Sequence, residues 1–288
     1  MSYNILVFVK QVPDTQNITG DAMTPEGTVN RAALPAIFNP EDLNALELAL
    51  QLKDRYGARV TVATMGMPAA AETLRQSLYR GADAAILVTD RALAGADTLA
   101  TSYALSKVAE KLGNVDLVLC GRQAIDGDTA QVGPQIAEKL HIPQICYVEE
   151  VQELSGRTVR CRRAIEGGYE ILESPLPALL TVIDANLPRP RNAKKIMKFK
   201  RSRTPGELEK DPAAGSVEAL RAKGLLIEQY SAADIGAEPD RIGFAGSPTK
   251  VKQVMSVVLT AGEAKRISPD ANGIGELIHE LISDHTLG

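Results

Sequence analysis

The sequence predicts an α/β fold in which helices cover both faces of a mostly parallel, Rossmann-like, nucleotide-binding sheet. Two observations support this class. Short apolar, β-branched runs alternate with amphipathic segments up to about residue 143, and turn residues separate them. The chain also has 288 residues, of which 44% are hydrophobic, so it can bury a large core.

The elements up to residue 143 follow from the period of their apolar residues. Strands are predicted where the runs are short and β-branched, and helices where leucine and alanine recur every three or four positions. Asp97 is a predicted N-cap, and Gly81 and Gly113 are predicted helix ends. In chain order we expect a strand over 4–9, a helix over 40–57, a strand over 59–65, a helix over 69–82, a strand over 84–90, a helix over 97–113, a strand over 115–120 and a helix over 129–140.

From residue 144 the chain changes to closely spaced strands. The runs 144–154, 157–165, 169–174 and 178–184 are separated by Ser-Gly, Gly-Gly and Pro-x-Pro turns. This spacing is typical of hairpins, so we expect antiparallel strands that extend or flank the sheet.

The last hundred residues are irregular and charged, and we divide the chain into a nucleotide-binding domain over 1–185 and an arm with a tail over 186–288. Basic residues crowd the segment 189–203 around a single aromatic residue, Phe199. In an acidic protein this segment indicates a protein-docking or solvated face rather than RNA binding. An apolar stripe at 274–282 predicts a helix that packs on the protein itself.

Composition excludes several classes of protein. The net charge of −4 gives no bulk attraction to nucleic acid. Three cysteines without CxxC spacing and only three histidines argue against a disulfide framework and against a metal site. The N-terminus has no basic leader, and no apolar run approaches the roughly 20 residues of a membrane span, so we expect a cytoplasmic protein without a membrane span.

No catalytic side chain is assigned from the sequence. Lys10, Asp14 and Glu41 are conceivable acid–base groups, but no partner for them can be recognised in the sequence. Solvated roles are therefore the favoured interpretation of all three residues.

The loops that follow the predicted strands are the candidate ligand site, because open parallel sheets bind ligands beyond the carboxyl ends of their strands. The richest loop is “GRQAIDGDTAQVGP” (121–134). Its glycines allow close backbone approach, and a helix that opens at 128–132 would offer N–H groups and its dipole to a phosphate. Thr129 could add a hydroxyl toward that phosphate, and Asp126 and Asp128 fit ribose hydroxyls. All three residues also fit helix caps, and the loop alone leaves both interpretations open. Neither GxGxxG nor a P-loop motif is present.

Four segments together carry a resemblance to a known family. They are “VFVKQVPDT” (7–15), “NPEDLNALELAL” (39–50), “TMGMPAAAETLRQSLYRGADAAILVTD” (64–90) and “GRQAIDGDTAQVGPQIAEKL” (121–140). In this order they resemble the beta subunit of electron transfer flavoproteins. The resemblance runs from the N-terminus to about residue 200, and “GSPTKV” (246–251) extends it weakly.

The resemblance implies a heterodimer with an alpha subunit that carries FAD, and an arm that wraps the alpha subunit. It also implies that this chain binds a second nucleotide through several of its loops, without a metal. Carried over by motif, the cofactor-binding residues would be Phe8, Val9, Asn39, Pro40, Glu41, Asp42, Met65, Gly66, Gly121, Arg122, Gln123, Ala124, Ile125, Asp126, Gly127, Asp128, Thr129, Ala130, Gln131 and Val132.

Family members are of two types, and Gly127 indicates which type this sequence resembles. One type binds AMP structurally and usually has an acidic residue at this position. The other binds a second FAD that takes electrons from NADH, sends one to ferredoxin or flavodoxin, and sends one through the alpha-subunit FAD to a flavoprotein dehydrogenase. With “DGDTAQVG” (126–133), this sequence resembles the second, electron-bifurcating type. A carboxylate beside a diphosphate would cost on the order of 1 kcal/mol.

The partner and two alternatives stay open at this point. Ala193 stands where many family members have a leucine that anchors acyl-CoA dehydrogenase, so a lactate- or enoyl-CoA-linked dehydrogenase is open. NADH oxidation is expected only in the complex with the alpha subunit. One alternative is the AMP-binding, non-bifurcating carrier. The other, from a different class, is an ATP-binding regulator of the universal-stress type, which would not need the arm.

Overall fold

A computed structural model describes residues 3–14, 34–183, 187–250, 265–284 and 286–287. Its helices and strands alternate from residue 40 to residue 140, as the sequence predicts. The strands are β1 (Asn4–Phe8), β2 (Gln11–Pro13), β3 (Ala36–Phe38), β4 (Arg59–Met65), β5 (Ala84–Val88), β6 (Leu117–Gly121), β7 (Gln144–Ser155), β8 (Thr158–Ile165), β9 (Gly168–Pro175), β10 (Ala178–Val182) and β11 (Glu228–Tyr230). The helices are α1 (Pro40–Tyr56), α2 (Ala71–Arg80), α3 (Thr98–Leu112), α4 (Val132–Leu140), α5 (Ala193–Phe199), α6 (Pro205–Lys210), α7 (Val217–Ala222) and α8 (Ala271–Ser283).

Nine of these strands form one sheet in the order β11-β5-β4-β1-β6-β10-β7-β8-β9. The strands from β11 to β7 are parallel, and β8 and β9 continue the sheet as antiparallel strands. Strand β1 lies between β4 and β6, so the strand order reverses there and a crevice opens beyond its carboxyl end. The predicted α/β class is confirmed. Strands β2 and β3 form a separate antiparallel pair.

One predicted pairing is wrong. The run 178–184 was expected among the antiparallel strands, but β10 lies between β6 and β7 and is parallel to both. All five of its residues are buried, which suits an interior strand covered on both faces. Only the β7–β8–β9 portion is antiparallel, as predicted.

The core has two layers because successive side chains of the parallel strands point to opposite faces of the sheet. On β1, Ile5 and Val7 join the layer that α1 and α2 cover, and Leu6 and Phe8 join the layer under α3 and α4. The predicted Asp97 N-cap is confirmed, because its carboxylate accepts a hydrogen bond from the Ala100 N–H at 3.0 Å.

The arm adds both helices and a strand. Arg189 fastens its start to α1, donating its backbone N–H and its guanidinium to buried Glu47 at 2.9 Å. Helices α5, α6 and α7 cover the α1–α2 face, and β11 joins the sheet beside β5. The domain boundary at residue 185 stays a prediction, although one strand of the second segment completes the sheet of the first.

Helix α8 confirms the predicted terminal helix but not its packing. Ile274, Ile278 and Ile282 are 48%, 47% and 54% exposed, so the expected self-packing of this stripe is absent from the described residues. Among the helices that the structure describes, none combines the length and apolar character needed to cross a bilayer.

Candidate functional site

The loops after β1 and β6 meet at the crevice where the strand order reverses, and Asp42 joins them. Its carboxylate accepts the Lys10 N–H at 2.8 Å and the Gly121 N–H at 3.1 Å. Lys10 follows β1 and Gly121 ends β6, so one side chain in the first turn of α1 bridges both sides of the crevice. The approach is close: a Cβ on Gly121 would lie 2.7 Å from the Asp42 Oδ1 atom.

Asn39 and Glu41 hold the same loop from the start of α1. The fully buried Asn39 donates its amide to the Gln123 carbonyl at 2.9 Å and accepts the Ile125 N–H at 3.3 Å. Glu41 accepts Arg122 Nη2 at 2.7 Å and the Gln123 N–H at 3.3 Å. The side chains of the “NPED” turn thus hold the loop 122–131, because their polar atoms form hydrogen bonds with residues of that loop.

Burial changes the acidity of groups beneath the loop. Desolvation raises the pKa of Asp42 to about 7, against the opposing effect of the Asn39 side chain and the Lys10 and Gly121 N–H groups. Burial also raises the pKa of the Cys120 thiol, and the neighbouring Asp42 adds to that rise. The Asp42 carboxyl therefore gains or loses its proton near neutral pH, whereas the Cys120 thiol keeps its proton there.

The helix after the loop begins later than predicted. The sequence predicts a helix over 129–140 that opens at 128–132, but α4 begins at Val132. Asp128 and Ala130 have φ of 47° and 52°, and this left-handed backbone interrupts any helix. Of the two interpretations left open for Asp126, Asp128 and Thr129, the capping role does not apply to α4, whose N-cap is Gln131.

The N-terminus of α4 faces the crevice without a cap. Gln131 makes no side-chain capping hydrogen bond within the described chain. Its Oε1 instead accepts the Thr98 hydroxyl from α3 at 3.0 Å. The first N–H groups of α4 and the positive end of its dipole are available to an anion.

Two carboxylates of the loop are held by the protein. Lys10 Nζ contacts both Asp126 oxygens, at 2.8 and 2.7 Å, and Gln123 Nε2 donates to Asp128 at 2.8 Å. Lys10 stays exposed, as the solvated interpretation expects, but it also pairs with Asp126 across the crevice. Glu41 is 18% exposed and pairs with Arg122, so the solvated interpretation does not hold for Glu41. Sequence neighbours cannot reveal such pairs, since Lys10 and Asp126 are 116 residues apart.

Gly127 and Gly133 differ in how much space surrounds them. Gly133, in the first turn of α4, packs so closely that a Cβ would lie 2.8 Å from both Cys120 Sγ and Thr181 Cγ2. A Cβ on Gly127 would meet no described atom within 4 Å, and its φ lies outside the left-handed region. Neither the backbone nor the packing of the described protein explains the glycine at 127.

The structure brings the predicted residues to one edge of the sheet. Phe8 ends β1 and Val9 follows it, with side chains buried on opposite faces, so it is their backbone that reaches the edge. Met65 ends the neighbouring strand β4, Gly66 follows it, and Pro40 starts α1. Lys10 and Thr98, absent from the predicted binding residues, also belong to this site. The position of Lys10 directly after β1 is a signal that sequence reasoning had available.

Comparison with known proteins identifies the family. Residues 26–205 match the family model described as “Electron transfer flavoprotein domain”. The chain belongs to the electron transfer flavoprotein family. It is 44% identical over 282 residues to the electron transfer flavoprotein subunit beta of Clostridium acetobutylicum, covering 98% of this chain and 94% of that protein.

Two further relatives carry names that refer to larger complexes. One is the acryloyl-CoA reductase electron transfer subunit gamma of Anaerotignum propionicum, 39% identical with 98% of this chain and 99% of the relative covered. The other is the caffeyl-CoA reductase-Etf complex subunit CarD of Acetobacterium woodii, 42% identical with 95% and 91% covered. The resemblance to electron transfer flavoprotein beta subunits is confirmed, and with it an electron-transfer role. The universal-stress alternative is not supported.

Proposed function

We propose that this chain binds FAD as the beta subunit of a heterodimeric, electron-bifurcating electron transfer flavoprotein. The bound flavin would supply the redox chemistry: NADH is the electron donor, one electron goes to ferredoxin or flavodoxin, and one goes through the alpha-subunit FAD to a flavoprotein dehydrogenase. The protein contributes binding, orientation and charge, and no side chain is assigned as an acid–base catalyst.

The uncapped N-terminus of α4 at the reversal of strand order is the observation that carries this proposal. Phosphate groups bind where unpaired N–H groups and a helix dipole coincide. In an open parallel sheet, the crevice beyond the carboxyl ends is the place where nucleotides bind. Both conditions are met at the same point, between Gly121 and Val132.

Charge in the loop also suits a diphosphate. Lys10 lies against Asp126, so its ammonium group offsets the charge of that carboxylate. The Arg122 guanidinium is anchored through Nη2 to Glu41, while its buried Nε finds no hydrogen-bond partner among the described residues. A buried donor without a partner costs about 1–3 kcal/mol, so a ligand oxygen at this position would remove a real penalty.

Gly127 supports FAD over AMP. Neither the backbone conformation nor the packing of the described residues requires glycine at position 127. Space for a ligand is therefore the physical reason that we propose for this glycine. A side chain there would enter space in which no described atom lies within 4 Å of its Cβ. The absence of a carboxylate at 127 favours the longer cofactor, whose second phosphate extends beyond the AMP position.

The relatives support the same complex. Two are named as electron-transfer subunits of acryloyl-CoA and caffeyl-CoA reductases. By analogy, we propose that the dehydrogenase partner of this chain is a flavoprotein that acts on an enoyl-CoA, one of the two kinds of partner that the departure at Ala193 leaves open.

The nucleotide content of the purified complex tests the proposal. The chain is produced with its alpha subunit, the complex is denatured, and the released FAD and AMP are quantified by chromatography. Two FAD per heterodimer are expected. One FAD with one AMP would contradict the bifurcating type while keeping the family, and ATP alone would contradict both.

A matched pair of variants at Gly127 isolates the charge effect. Gly127→Asp places a carboxylate beside the proposed diphosphate and should weaken FAD retention by about tenfold, corresponding to roughly 1.4 kcal/mol. Gly127→Ala adds a methyl group in open space and should bind FAD as the unmodified protein does. Equal FAD affinities for the aspartate and alanine variants would refute the placement of the diphosphate.

A further inference from the structure

Strand β7 carries an irregularity where it pairs with β10. Leu180 pairs with Ile145, and Val182 pairs with Val148. Over this interval β10 advances by two residues and β7 by three, so β7 has one extra residue, a β-bulge that includes Tyr147. Bulges are enriched beside functional sites, where they turn a side chain in a new direction.

Tyr147 adopts a conformation that is unfavourable for its residue type. Its φ is 61°, in the left-handed region, where a bulky aromatic residue is strained and where glycine is usual in such bulges. Its N–H donates to Thr181 Oγ1 at 3.2 Å, which fixes the bulge to β10. The side chain is 42% exposed, so burial in the core does not account for the choice of tyrosine over glycine.

The bulge lies at the edge of the candidate site. Val182 is level with Gly121 across β10 and β6, and its carbonyl accepts the Arg122 N–H at 3.1 Å. Tyr147 also lies within electrostatic range of the Arg122 guanidinium. The hydrogen bond to Glu41 is the main reason that the pKa of Arg122 is raised, and the Tyr147 phenol adds to it.

The predicted binding residues lie on β1, β4, β6 and the loops and helix start beside them, and Tyr147 lies beyond them. Strand β7 is two strand spacings from β6, about 10 Å. A mononucleotide that uses the β1 and β6 loops does not need this distance, whereas a dinucleotide extends past its first phosphate. We propose that Tyr147 is a further binding residue of this site, whose exposed ring packs against the part of FAD that AMP lacks.

This inference rests on the proposed function, because it requires FAD in this chain. Strained backbone conformations cluster at ligand-binding sites, so we expect the exposed ring of Tyr147 to contact a ligand. Aromatic rings stabilise planar ligands by offset stacking or edge contacts. Tyr147 would therefore act in specificity: it strengthens FAD binding and leaves AMP binding unchanged.

The test uses the heterodimer that keeps the alpha-subunit FAD and has been stripped of its second nucleotide. Binding of FAD and of AMP is titrated separately, with flavin fluorescence and calorimetry. Tyr147→Ala should bind FAD about two- to tenfold more weakly and AMP unchanged, and Tyr147→Phe should bind both as the unmodified protein does. Tyr147→Gly should also bind FAD more weakly while its thermal midpoint rises by about 2–4 °C, because glycine removes the backbone strain.

His141→Gly is the matched control. His141 also has a positive φ, 53°, but it lies at the end of α4 remote from the crevice. Its glycine variant should gain thermal stability with unchanged FAD affinity. An unchanged FAD affinity of Tyr147→Ala, or an equal loss of FAD and AMP affinity, would overturn this inference alone. An unmodified heterodimer that takes up AMP but no FAD would overturn the proposed function as well.

Discussion

Replacing Asp42 by asparagine isolates the pH dependence that burial of this carboxyl creates. The folded pKa of about 7 lies above the ordinary value of 3.8. Between these two values the folded protein binds more protons than the unfolded chain does, so the free energy of unfolding falls as pH rises. The stabilising contribution is complete below about pH 3.8 and is lost as pH rises through about 7.

The magnitude follows from the size of the shift. A difference of about 3 units at 1.36 kcal/mol per unit gives about 4 kcal/mol across the full range. This is a large part of the 5–15 kcal/mol by which a typical domain is stable. Asparagine keeps the shape of the side chain but cannot titrate, and it can accept only one of the two N–H groups that Asp42 now accepts.

Urea unfolding of both proteins, followed by circular dichroism from about pH 5 to about pH 8, measures this effect. The stability advantage of the unmodified protein over Asp42→Asn should be largest at the acidic end and should shrink by about 2–3 kcal/mol toward pH 8. Asp90→Asn is the control, because hydrogen bonds from the Ala92 and Ala232 N–H groups lower the pKa of Asp90. Its difference from the unmodified protein should stay flat over this range. Parallel pH profiles for the unmodified protein and Asp42→Asn would refute the reasoning.

Two further predictions concern ion pairs. Lys10→Ala removes the cation that lies against Asp126, so FAD affinity should fall about tenfold. Adding Asp126→Asn removes the unpaired carboxylate and should restore most of this affinity. FAD titration of both variants measures the effect, and a double variant that binds FAD as weakly as Lys10→Ala would contradict the prediction. Arg189→Ala leaves the buried Glu47 carboxylate without its main partner, so the free energy of unfolding should fall by about 1–3 kcal/mol and proteolysis should increase near the start of the arm. Urea titration and limited proteolysis check this, and Arg221→Ala, in an exposed pair with Glu228, should change neither.

Local patterns in the sequence predict most of the first half of the fold. The alternation of β-branched runs with leucine-rich segments gives the parallel strands, and Asp97 and Gly113 cap and end α3 as expected. The location of the site also follows from local information, because it depends only on which loops leave the carboxyl ends of the strands.

What the sequence does not predict depends on long-range contacts. Ala130 is a good helix former, yet its φ of 52° is left-handed, and it lies in a loop whose first part is held by residues some 80 positions earlier. The strand “QICYVEE” reads as regular, and nothing in it indicates the bulge at Tyr147, which arises where β7 meets β10. The short β10, unlike β7, β8 and β9, has no charged residue, and such an apolar run is typical of an interior parallel strand. Its place in the chain directly after hairpin strands favours the antiparallel prediction, which the structure overturns.

The position of β10 has a consequence for how the chain assembles. Strand β10 lies between β6 and β7 in the sheet, but it is synthesised after the three strands β7, β8 and β9. Until residues 178–182 are in place, β6 presents a bare apolar edge and the finished hairpin has no sheet to join. Closure of the sheet therefore waits for a contact between distant segments, which makes it a late and slow event in folding. A nascent chain that ends before residue 178 would expose an aggregation-prone strand at the same edge that later lies beneath the loop 122–131.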